Sequence, residues 1–302
     1  MPNGPVTKVL RKGDTTKANP FTIIIVSNPV LEAPWNSGQF VADSVMSDQN
    51  AFDATAQYIN TSLFGGLPNQ SERFMADPSI ASKIRVVSVF VPGRPVQDSN
   101  ALVAQDGASN QLIARRAVFV PFLSGLGLQA DVAYAISKSP THTRATAWPA
   151  SDDDARNGIA FTLDGITLAH RFFNLIPGTV ALHTTSRSMT ALHEFGHALS
   201  SFSNGVITDL YVDNDPALNN KRGRPIPSSF STYNGANMAS DQTRDGLGYG
   251  AWQSYHCELI APTFPALMDN YWMASDNVPE HCQHDRLTRQ FLLDRLRAKI
   301  GR

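Results

Sequence analysis

Residues Thr190–Ser201 read TALHEFGHALSS, with His193, Glu194 and His197 in the order H-E-x-x-H. On a helix, positions four apart share a face, so the two imidazoles can meet one metal ion while Glu194 projects beside them. The neighbours favour that reading: Ala191, Leu192, Ala198 and Leu199 are good helix formers, and Phe195 and Leu199 supply an apolar side. Gly196 costs some helix stability, a loss tolerable where its missing side chain permits close packing. With eight histidines in 302 residues, a chance H-E-x-x-H has a probability of roughly a few in a thousand. The bland alternative is a helix carrying two solvated histidines.

Zinc in a catalytic site takes three protein ligands and keeps one position for water. The third ligand must come from downstream, because Ser200 and Ser203 stand where the continuation H-E-x-x-H-x-x-G-x-x-H has glycine and histidine. The segment NGVITDLYVDNDP offers Asp209, Asp213 and Asp215. Asp209 is favoured because it follows the turn-forming pair Asn204-Gly205, which can bring the chain back under the metal. Its alternative role is that of a capping carboxylate in a turn. Tyr211 and Tyr271 are candidate hydrogen-bond donors to a developing oxyanion, with Tyr233, Tyr249 and Tyr255 behind them.

Outward from the motif, short β-type runs alternate with helical ones. Phe21–Val26 (FTIIIV), Ile84–Val91 (IRVVSVFV), Arg116–Phe122 (RAVFVPF), Gly158–Leu163 and Gly178–Thr184 read as strands. From Ser47 to Phe64, apolar residues recur at helical spacing, with Ser47 or Asp48 as cap and Gly65-Gly66 as stop. This alternation predicts an α/β layer with a mixed, mostly parallel sheet. Residues Asn204–Tyr255 are rich in Gly, Asn, Asp, Ser and Pro and read as irregular loops. Leu287, Phe291, Leu292, Leu296 and Ile300 mark an amphipathic terminal helix. The expected plan is an N-terminal extension (1–20), an α/β subdomain ending in the motif helix (21–203), and a loop-rich C-terminal subdomain (204–302) with a substrate cleft between the last two.

Composition excludes several classes. The chain is 42% hydrophobic and 17% charged, with a formal net charge of -1. Such a balance does not support a nucleic-acid or membrane surface without a strong local patch, and the densest basic run, Lys221–Arg224 (KRGR), is short. FTIIIV is far too short to span a bilayer. The first twenty residues lack the apolar core of a signal peptide, so the expected compartment is the cytoplasm by default. Scarce Lys and Glu with plentiful Asn, Ser and Thr lean instead towards export. Cys257 and Cys282 permit one disulfide, and that disulfide or two buried thiols is a more economical reading than a second zinc built with His256, His281 and His284. Structural calcium has weak candidates in Asp152-Asp153-Asp154 and Asp213-x-Asp215, which read better as solvated turns.

The stretch HEFGHALSSFSNGVITDLYVD (193–213) resembles the active-site segment of the IgA-peptidase-like zinc metallopeptidases, a metzincin-like group. The resemblance implies a zincin fold and a zinc-dependent peptidase acting on a peptide or protein substrate. It implies that His193 and His197 bind one catalytic Zn²⁺ with Glu194 as general base. In that family an aspartate of a D-E-Y segment is the third ligand. The nearest match here is Asp209-Leu210-Tyr211, displaced by about five residues, whereas an ungapped alignment puts Asn204 at the ligand position. APTFPALMDNYW (261–272) resembles the methionine turn that lies beneath the metal, with Met268 as the turn residue. Glu280–Ile300 resembles the cysteine-plus-terminal-helix ending. The rival reading is a catalytically inactive zinc-stabilised binding or structural protein of the same fold, whose metal site a fourth protein ligand such as His183 would close.

Overall fold

The computed structural model describes residues 4–93, 100–148, 150, 177–186, 189–199, 267–268, 282–284 and 286–301, and the strand backbones 161–163, 166–168, 232–233 and 236–237. Its centre is a six-stranded sheet in the order β1 (Val6–Lys12), β5 (Arg85–Phe90), β2 (Thr22–Ser27), β8 (Val132–Ser137), β12 (Gly178–His183), β9 (Thr146–Trp148). The four inner strands run parallel, and β1 and β9 pair antiparallel at the two edges. The architecture is therefore α/β with a mixed sheet.

Strands buried on both faces need continuous apolar sequence, and FTIIIV supplies it. Ile23 and Ile25 enter one core and Ile24 and Val26 the other. The same alternation sends Val132, Tyr134 and Ile136 of β8 to the first core and Ala133 and Ala135 to the second. The first core is closed by helices α1 (Gln49–Leu63), α4 (Thr190–Leu199) and α5 (Arg286–Ile300), through Phe52, Ile59, Leu192, Phe195, Leu292 and Leu296. The second core is closed by α3 (Arg116–Gly125) and a four-stranded sheet. That sheet runs β4 (Phe40–Ala42), β3 (Val30–Glu32), β6 (Val103–Gln105), β7 (Leu112–Ala114). A 3₁₀ turn (Phe74–Ala76), a short helix α2 (Pro78–Ala81) and the hairpins β10 (Phe161–Leu163)–β11 (Ile166–Leu168) and β13 (Thr232–Tyr233)–β14 (Ala236–Asn237) complete the described elements.

Most expected elements appear at their places. Asp48 caps α1, its Oδ1 accepting the Ala51 N–H at 2.8 Å, and Gly65 follows the helix at φ 67°, a conformation glycine adopts without steric cost. Arg116–Phe122 is a correction: the expected strand is the front of helix α3. Its apolar run is too short for periodicity to decide, and carried on to Leu123 the buried positions 116, 119, 120 and 123 follow helical spacing. Pro121 stands inside this helix. A second correction concerns residues 1–20. The expected extension contributes β1, which pairs with β5 along its length apart from a bulge between Val9 and Arg11. Lys8, Arg11 and Lys12 lie on this edge strand, and such charges discourage pairing with other chains.

Leu267, Met268, Cys282, Leu292 and Leu296 belong to the same core as α1 and α4. Residues 267–268, Cys282 and the terminal helix α5 thus pack on the sheet's first face. No helix among the described residues is long and apolar enough to cross a membrane.

Candidate functional site

Helix α4 follows β12, the parallel strand next to the β9 edge, and lies against both. Its approach to β12 is close: a methyl group on Gly178 would overlap the carbonyl oxygen of Ala198. Tyr134 reaches across from β8 and donates its hydroxyl to the Ala191 carbonyl at 2.8 Å. The Ala150 N–H donates to the Ala198 carbonyl at 3.2 Å. The helix is thereby fixed to the sheet near both of its ends.

Every residue of α4 is buried except His197, which is half-buried. His193 is 7% exposed and Glu194 6%, so the picture of a surface helix with two solvated histidines does not hold. A buried carboxylate carries a desolvation penalty of several kcal/mol, and its presence beside two histidines needs a reason. The rings of His193 and His197 lie 5.0 Å apart between centroids, inclined at 77°. Burial, and secondarily the charge of Glu194, push the Tyr134 hydroxyl well above its ordinary pKa.

His193 is oriented from below. Its Nδ1 lies 2.7 Å from the Leu267 carbonyl oxygen. A carbonyl only accepts, so Nδ1 carries the proton and the ring lone pair is on Nε2. That tautomer is the one a histidine needs in order to ligate a metal through Nε2. Met268, the next residue, is fully buried beneath Gly196: a methyl group there would come within 2.5 Å of its Sδ. The glycine expected to allow close packing does so against the predicted turn methionine.

His183 is engaged elsewhere. Its Nε2 lies 3.0 Å from the Ser139 carbonyl oxygen, and its Nδ1 accepts the Thr185 N–H at 3.1 Å. It is thus unsuited to close the metal site. His284, considered as part of a second zinc site, instead meets Glu72, a buried residue that sequence reasoning missed. Only a contact 212 positions apart identifies that carboxylate, and no local pattern signals it.

The structure brings together His193, Glu194, His197 and Met268. Asp209, Asn204, Tyr211 and Tyr271 lie outside the described residues, as do Cys257 and the Asp152–Asp154 and Asp213–Asp215 carboxylates. Cys282 is buried. Among the described residues, no group of three His, Cys, Asp or Glu side chains surrounds one point. The two imidazoles fit zinc in type and in their i, i+4 spacing as a partial ligand set, and His193 also in its tautomer.

No family model matches this chain, and no curated protein matches it.

Proposed function

We propose that the protein is a zinc-dependent peptidase in which His193 and His197 hold the metal and Glu194 is the general base. The observation that carries this reading is the buried H-E-x-x-H helix whose first histidine is oriented by the Leu267 carbonyl. A structural helix gains nothing from burying His193 and Glu194 beside a half-buried His197, whereas a hydrolytic site needs its ligand and base held fixed. Zinc, when bound, supplies Lewis acidity for a scissile amide and acidifies water. Glu194 takes a proton from the attacking water and passes it to the leaving amine. Tyr134 holds the first turn of α4 through Ala191, which keeps His193 and Glu194 at fixed positions on the helix. Asp209, with Asn204 as the alternative, completes the ligand set, and Tyr211 and Tyr271 are the candidate oxyanion donors. The α4 helix lies beside β9, the outermost strand of the sheet. Such an edge can take an extended polypeptide by backbone hydrogen bonding, which favours a peptide or protein substrate.

The test is Glu194→Gln, assayed for zinc content and for cleavage of a mixed peptide library. Zinc should stay near stoichiometric while hydrolysis is lost, and undiminished cleavage would sink the assignment.

A further inference from the structure

The segment 282–284 stands between the Leu267–Met268 turn and a buried carboxylate of the N-terminal half. The Gln283 carbonyl accepts the Leu267 N–H at 2.8 Å, and the Leu267 carbonyl in turn accepts the His193 Nδ1–H. On its other side, the His284 backbone N–H donates to Glu72 Oε2 at 2.8 Å. The second oxygen of Glu72 accepts the Phe74 N–H at 2.9 Å. His284 Nδ1 lies 3.1 Å from Oε2 outside hydrogen-bond geometry, so the backbone N–H makes the bond. Arg289 stands 3.8 Å from Oε1. The ring of His284 is edge-on to Phe74 at 5.2 Å, and Phe74 packs against Phe195 of α4 at 6.2 Å.

We infer that Glu72 is a positioning residue for His193, acting through the backbone of residues 283–284 and 267. The inference rests on the zinc reading for its consequence, though not for its geometry. A carboxylate suits the task because both of its oxygens receive backbone donors. A glutamine has one such oxygen and would turn its NH₂ towards the other N–H. Burial alone would resist ionisation of Glu72, but His284 and Arg289 outweigh it and hold the carboxyl below its ordinary pKa. Freed from this clamp, the 282–284 segment no longer fixes Leu267, and the carbonyl that sets the His193 ring loses its place. Outer contacts to ligating histidines commonly govern metal affinity by 10- to 100-fold. Because Glu72 acts one step further away, about a tenfold loss is expected.

The experiment uses the full chain with Glu72→Gln, a variant of unchanged shape. Leu123→Ala serves as a destabilised control in the opposite core. Zinc affinity is measured by competition with a chromophoric chelator. The His193 Nδ1–H proton is followed by ¹⁵N-edited NMR in the metal-free protein, assigned through His193→Ala. Glu72→Gln should weaken zinc binding about tenfold and lose or broaden the Nδ1–H signal, while Leu123→Ala leaves both unchanged. A folded Glu72→Gln that keeps the signal and binds zinc within about twofold of the parent overturns the inference. If the parent binds no zinc yet Glu72→Gln still loses the Nδ1–H signal, the peptidase reading fails and the positioning role stands. If the parent binds no zinc and the signal survives the substitution, both fail.

Discussion

The seating of Met268 under Gly196 can be tested by a double-mutant cycle, independently of any activity. In Gly196→Ala the new methyl would lie 2.5 Å from Met268 Sδ and 3.0 Å from Cε. Ordinary contacts are about 3.5–4.0 Å, so the thioether must retreat by roughly 1 Å or more. Met268 is fully buried, and its neighbour Leu267 is tied to His193 and Gln283, which restricts that retreat. The overpacking costs about 1–3 kcal/mol, against a gain of about 1 kcal/mol from replacing glycine within a helix. A net loss of about 1 kcal/mol is expected. Met268→Ala alone should cost about 3 kcal/mol for lost burial and a cavity. In the double variant the methyl of residue 196 occupies part of that cavity and the clash is gone. The expected loss is then about 2 kcal/mol rather than the additive 4, a coupling of about 2 kcal/mol. Urea unfolding followed by circular dichroism and tryptophan fluorescence gives all four stabilities, provided that the two probes coincide. Additivity within about 0.5 kcal/mol would show that the two residues do not touch, and the placement of the turn beneath the helix would be wrong.

Two further outcomes follow from the same packing. Gly178→Ala sets a methyl group against the backbone of Ala198, which cannot swing aside as a side chain can. A loss of about 3 kcal/mol in urea unfolding is expected, and less than about 1 kcal/mol would refute the close approach of β12 and α4. His183 has its pKa lowered, chiefly by burial, with Lys138 acting in the same direction and the Ser139 carbonyl and Asp43 against. Its neutral form therefore contributes stability above the unfolded value of about 6.5, lost as pH falls through the lower folded value. A ring-proton NMR titration with a midpoint at or above about 6.5 contradicts this.

The sequence carried the fold where local patterns were strong. FTIIIV and IRVVSVFV read as strands through β-branched runs bounded by turn residues, and Asp48 with Gly65 bracketed α1 by capping chemistry. Weaker patterns misled. VAYAIS (Val132–Ser137) carries only a weak strand signal, because its alternate alanines have low strand propensity. Its place between β2 and β12 makes it central, with those alanines facing the second core. RAVFVPF looked like a strand because its β-branched and aromatic residues outweigh a helical spacing that only Leu123 completes. Residues 6–12 are polar enough to read as an extension, and they become a strand because β5 offers an unpaired edge.

The site divides along the same line, between what lies within one turn of helix and what long-range contacts add. His193, Glu194 and His197 were legible because chemistry fixes their spacing on one helix. That His193 is held in one tautomer depends on Leu267, 74 positions away. Leu267 depends in turn on Gln283, beside a residue bonded to Glu72 across 212 positions. None of these contacts has a sequence signature, since two are made by backbone carbonyls that any residue could supply. A chain could therefore retain H-E-x-x-H and lose the orienting carbonyl through a change near Glu72, with no mark in the motif itself. The motif supplies donor types and spacing; the buried backbone contacts decide whether those donors can face one ion.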